Sequence, residues 1–160
     1  MILSICLLLL SVGRAQVAPD TAPDTFRRTA DVSVHRGMWT LNSWAITNMA
    51  TGVPLSLTVT DPTEAAFHQM NAGWNIVNLG LASTSLIRKQ PADPQKLAKI
   101  FWINAGLDVG YVAAGLAMAH RGRETNNPQL EGWGNSIALQ GGFLFGFDAV
   151  MGWRMQTYLR

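Results

Sequence analysis

Apolar residues dominate four stretches of the chain, residues 37–57, 67–87, 100–119 and 133–153, and polar residues gather between them. Each stretch is close to the ~20 residues that a helix needs to cross a bilayer. The links are short and hold breakers: Asp61-Pro62 in the first, Pro91 and Pro94 in the second, Asn127-Pro128 in the third. Short links set consecutive helices antiparallel. The third stretch is the most continuous, interrupted by Asn104 and Asp108 alone. The first is the most dilute, with Thr40, Asn42, Ser43, Thr47, Asn48 and Thr51 spread along it. The pattern predicts an all-α chain, a membrane-embedded antiparallel four-helix bundle.

A soluble bundle is the competing architecture. It requires a charged outer face on each helix, and the second, third and fourth stretches hold almost no Lys, Arg or Glu. Composition points the same way. Of 160 residues, 14% are charged and 48% hydrophobic, against about 25% charged in soluble domains. Fifteen Gly and six Trp suit spanning helices and their interfaces. The formal charge of +2 comes with no basic tract, which leaves nucleic-acid binding without support.

Before the first stretch lie two segments of different character. Residues 1–15, MILSICLLLLSVGRA, read as a secretory signal peptide, because the apolar run of residues 2–12 is too short to span and Gly13-Arg14-Ala15 offers small residues before a cut. It lacks a positive n-region. Cys6, the single cysteine, leaves with it, so no disulfide forms within the chain. Residues 16–36 twice carry Ala-Pro-Asp-Thr and read as a flexible polar leader.

Orientation is contested. With four spans, one side holds Arg27, Arg28, Arg36, Arg88, Lys89, Lys96, Lys99, Arg154 and Arg160, and the other Arg121 and Arg123. The positive-inside rule places the first side in the cytoplasm, whereas a cleaved signal peptide places the leader outside. A first stretch that re-enters rather than spans is one way to reconcile them.

The second stretch contains FHQMNAGWNIVNLGLA, unusually rich in amides. At ~100° per residue, His68, Asn71, Asn75 and Asn78 fall within about 80° of arc. An amide facing hydrocarbon is costly, so this stripe belongs inside the bundle, either as interhelical glue or as the lining of a pathway. A regular hairpin places Asn48 and Asn78 near mid-membrane. Asp108 and Asp148 lie at similar depth on the third and fourth helices, in a layer with Asn42 and Asn104. They form a candidate polar cluster, in which two close carboxylates compete for ionisation. The functional reading is a proton or cation site. The structural reading is a hydrogen-bonded cluster or an ion pair with Arg36 or Arg154.

Gly106-x-x-x-Gly110 and Gly142-x-x-x-Gly146 are small-residue signals for close approach of the third and fourth helices, or for a homodimer contact. Glu64 with His68 and His120 with Glu124 stand at i, i+4 spacing on the other side, a set able to hold a divalent metal, or haem through the two His. No nucleophile elbow, phosphate loop or HExxH occurs, so nothing argues for an enzyme, and no cofactor is required.

The segments RGMWTLNSWAITN, FHQMNAGWNIVNLGLA and QGGFLFGFD, with the core FHQMNxxWNxxN, resemble an uncharacterised family of small bacterial integral membrane proteins with about four helices. The likeness runs from Arg36 to Trp153. It implies a bacterial envelope protein, for which the expected location is the inner membrane, and it transfers no activity, substrate, cofactor or catalytic residue. The sequence therefore supports a structural or accessory envelope subunit first. A small transporter using the intramembrane Asp and Asn residues is second, and a metal or haem protein third. The partners expected are the lipid bilayer and other membrane subunits or a second copy.

Overall fold

The computed structural model describes residues 24–87 and 92–159, and among them every regular element is a helix. There are four: α1 Asp24–Thr58, α2 Pro62–Ile87, α3 Pro94–Glu124 and α4 Pro128–Thr157. The signal-peptide reading of residues 1–15 lies outside the described residues, as does the start of the leader.

Three of the helix starts share one device. Asp61 Oδ1 accepts from the backbone N–H groups of Thr63 and Glu64 at 2.8 and 2.9 Å. Asp93 does the same for Gln95 and Lys96, and Asn127 for Leu130. In each case proline follows, at the one helical position where a missing N–H costs nothing. The Asx-Pro pairs that punctuate the links therefore cap helices, and the flanking polar residues become helical turns. Between α3 and α4, Asn126 takes the left-handed conformation at φ 50. Asn127 N–H then reaches back to the Gly122 carbonyl at 2.8 Å, closing α3 within a three-residue link.

The leader requires a correction. Residues 24–36 continue α1 as helix rather than forming a flexible segment. Tertiary contacts override their loop-like composition. Ala30 is fully buried beside Ala98, Phe101 and Met155, Asp31 accepts from Ala92 N at 2.5 Å, and the Ser33 and Tyr158 hydroxyls bond at 2.6 Å. The first helix is thus the longest, at 35 residues. It passes without interruption through the stretch whose polar residues had allowed a re-entrant segment.

Consecutive helices run antiparallel. On α3 and α4, Gly115 meets Ala138, Ala119 meets Gly134 and Gly122 meets Glu131, so one helix ascends as the other descends. The α2–α4 contact differs: Gly132 meets Thr63 and Phe67, while Gln140 meets Asn71, so these two run parallel. The bundle is accordingly flattened, with α2 and α4 packed along its short diagonal, α1 against α2, and α3 against α4.

Glycine determines the closest approach. A Cβ at Gly115 would stand 2.5 Å from the Ala138 backbone nitrogen, and one at Gly134 would collide with the backbone of Ala119. The residues singled out by spacing, Gly106, Gly110, Gly142 and Gly146, instead have nothing within 4 Å of a Cβ position. They face outward and do not bring α3 and α4 together. Gly106 and Gly115 are nine positions apart, which at ~100° per residue places them on opposite faces.

Candidate functional site

Polar side chains are buried beside an apolar core, and many large apolar side chains are exposed. Asn42, Asn48, Asn71, Asn75, Asn78, Asp108, Ser136, Gln140 and Asp148 are buried, while Trp39, Ile46, Val53, Ile76, Ile103, Leu107, Leu116 and Trp153 are exposed. Ile76 is 60% exposed while its neighbour Asn75 is 0% exposed. That reverses the usual rule for a domain surrounded by water.

Asn71 on α2 is the hub. Its Nδ2 donates to Asn48 Oδ1 on α1 at 2.7 Å. Its Oδ1 accepts from Gln140 Nε2 on α4. Gln140 Oε1 in turn accepts from Trp44 Nε1 on α1 at 2.9 Å, and Asn48 Nδ2 donates to the Trp44 carbonyl at 2.8 Å. The chain of bonds begins and ends on Trp44, so it forms a closed circuit across three helices. The Trp44 ring is held in place by stacking on Phe143, with centroids 3.9 Å apart and planes 6° from parallel. Asn75 and Asn78 extend the circuit along α2: Asn75 donates to the Asn71 carbonyl at 2.8 Å, and Asn78 to Asn75 Oδ1 at 3.2 Å.

Gln140 was not among the residues singled out by sequence. Its signal was present, as the one amide in the middle of the fourth apolar stretch, flanked by Gly141 and Gly142. Full burial of a primary amide requires donors and acceptors on a neighbouring helix.

A second polar centre lies toward the other end of α3 and α4. Asp108 and Asp148 are 3% and 6% exposed, and their carboxyl groups lie within hydrogen-bonding reach of each other. Asp108 Oδ2 is buried without a donor among the described residues. Neither carboxyl pairs with Arg36 or Arg154, both of which are exposed. Asn104 is half-buried and makes no side-chain hydrogen bond among the described residues. Asn42 is buried on α1, with its Oδ1 unpartnered.

The histidines do not converge. His120 Nε2 lies 3.3 Å from Glu124, with both side chains largely exposed. His68 is half-buried, its Nδ1 enclosed without a partner, and Glu64 is exposed. Among the described residues, no group of three or more His, Cys, Asp or Glu comes together to hold a metal. Among the described residues, one helix, α3, is long and apolar enough by composition to cross a membrane, and 22% of its most apolar window is buried within the protein.

No curated protein and no solved structure matches the chain. A family model does, across residues 40–149, a span that contains the amide circuit and both aspartates. The chain therefore belongs to DUF6992, a family of unknown function.

Proposed function

We propose that this is an integral membrane protein of the bacterial envelope, built as a four-helix bundle and acting as a structural or accessory subunit. The observation that carries the reading is the exposure of Trp, Ile, Leu and Val along the helices while amides and two carboxyls are buried beside a core of Ala, Met and Phe101. In hydrocarbon there is no water to drive apolar side chains inward, so small-residue packing and interhelical hydrogen bonds hold the helices.

Two further features support it. Residues 37–60 and 65–87 contain no Asp, Glu, Lys or Arg, and residues 100–120 and 132–153 contain only Asp108 and Asp148. The exposed hydroxyls of Thr40, Thr51 and Thr58 each donate to a carbonyl of their own helix, those of Arg36, Thr47 and Pro54. They thus present no unsatisfied donor to lipid. Along α4, Trp133 and Trp153 stand ~30 Å apart at ~1.5 Å per residue, the thickness of a hydrocarbon core. Trp153 is 62% exposed, and the exposed Trp102 lies level with it, against Gly152. Arg36, Lys96, Lys99 and Arg154 flank this level, on the side that the Lys and Arg distribution assigns to the cytoplasm.

The role assigned to the polar interior is cohesion, since the amide circuit satisfies its members with one another. A proton- or cation-conducting role is favoured by one observation, the Asp108–Asp148 contact. Extraction and flux measurements test the two levels of the reading. The chain is expected to stay in membranes washed with alkaline carbonate, and its release rejects membrane embedding. Reconstituted protein that shows a pH-dependent flux abolished by Asp108→Asn replaces the structural role with transport.

A further inference from the structure

We infer that Asp108 and Asp148 together bind one exchangeable proton, in a dedicated site between α3 and α4. An ionised carboxylate is an acceptor on both oxygens and donates nothing. Two such groups in contact repel, and a shared proton converts the contact into a hydrogen bond. Here the carboxyls are within bonding reach of each other, both are more than nine-tenths buried, and no donor among the described residues reaches Asp108 Oδ2.

Among the described residues, no cation is shown to act on the pair. By helix register, the buried positions of α1 and α2 at this level are Met38, Leu41, Asn42, Asn78 and Ala82, all uncharged. From α3 and α4 the charged groups acting on the pair are the two aspartates themselves. Arg36 and Arg154 are exposed, His35 Nε2 accepts from Trp39 Nε1 at 3.0 Å, and the Tyr158 hydroxyl bonds that of Ser33. A metal ion would need further ligands, and no third His, Cys, Asp or Glu of the described residues joins the two. A proton is the ligand that the two carboxyls can hold by themselves. The contact cannot be replaced by backbone bonding, because both residues lie within helices whose carbonyls and N–H groups are used internally.

Asp148 lies five positions from Trp153, ~8 Å along the helix at ~1.5 Å per residue, so the site is close enough to one surface to exchange its proton with the medium there. The inference rests on the α3–α4 contact and holds whether the pair serves cohesion or flux.

Infrared spectroscopy of the full chain with isotope-labelled aspartate tests it. The wild type at neutral pH is expected to show a protonated aspartic-acid carbonyl stretch that shifts in deuterium oxide and is lost in both Asp108→Asn and Asp148→Asn. Each variant keeps an amide donor facing the remaining carboxyl, so the contact can stay hydrogen-bonded. A wild-type spectrum with every aspartate ionised overturns the proposal without any variant, and so does a band that survives in both. A proton band without flux leaves the site intact and removes transport alone.

Discussion

The indole of Trp44 donates to Gln140 at 2.9 Å while the backbone carbonyl of the same Trp44 accepts from Asn48. One residue thereby anchors both ends of a hydrogen-bond circuit that runs through α1, α4, α2 and back. Each bond constrains the rotamers of the next, and none of the four side chains is satisfied independently of the others. In a low-dielectric interior, this interdependence makes the loss of one member expensive.

Asn71→Leu is expected to be the most damaging amide substitution. It removes the bonds to Asn48 and Gln140 and leaves a buried acceptor on one and a buried donor on the other. At roughly 0.6–2 kcal/mol per interhelical bond in membrane proteins, the loss should be ~2–4 kcal/mol. Asn78→Leu breaks a single bond within α2 and should cost less than ~1.5 kcal/mol. Unfolding titrations in mixed micelles measure both, and equal losses would reject the hub assignment.

Much of this frame was legible in the sequence, and for physical reasons. Four long apolar stretches are separated by Asx-Pro breakers, so four helices could be counted from them, and the 100° periodicity placed Asn71, Asn75 and Asn78 on one buried face. Counting residues in from the ends of the third and fourth stretches placed Asp108 and Asp148 at one level. Other features were hidden because they depend on partners. Residues 24–36 are polar in composition, and tertiary contacts dock them as helix, among them the packing of Ala30 and the bonds to Ala92 and Tyr158. Gln140 carries no periodic companion. Spacing alone does not say which small residues face inward, and so Gly106 and Gly110 were placed at a contact that Gly115 and Gly122 make.

Trp44→Phe separates the two jobs of the indole. The ring can still stack on Phe143, but the donor to Gln140 is gone. A double-mutant cycle of Trp44→Phe with Gln140→Leu should give a coupling of about 1 kcal/mol, since the two share one bond. Additive losses in the same unfolding assay would show that the circuit does not close through Trp44.

The first turns of α1 are expected to stabilise the bundle rather than tether it. Ser33→Ala and Tyr158→Phe each remove a partner of the same 2.6 Å bond. Either should lower stability by ~1 kcal/mol, and the pair together by little more. Loss of protection at residues 26–36 in hydrogen exchange should accompany it. A variant whose exchange there matches that of the wild type would contradict the docking.

Glycine substitutions give the sharpest contrast, because chemically identical changes should have opposite outcomes on one helix. At Gly115 a Cβ meets the Ala138 nitrogen at 2.5 Å and the Gly134 carbonyl oxygen at 2.7 Å, both backbone atoms of α4 that cannot rotate away. Gly115→Ala must push α3 and α4 apart along their whole seam, at a cost of about 1–3 kcal/mol for overpacking. At Gly106 and Gly110 the same methyl group enters open space, and the change from Gly to Ala within a helix is itself favourable by up to about 1 kcal/mol. Gly106→Ala and Gly110→Ala should therefore leave the monomer as stable as wild type or more so. Should they destabilise it at high protein-to-detergent ratio and not at low, their outward face would be covered by a second chain. Should they destabilise it at every ratio, the assignment of the α3–α4 seam to Gly115, Gly122 and Gly134 would be wrong.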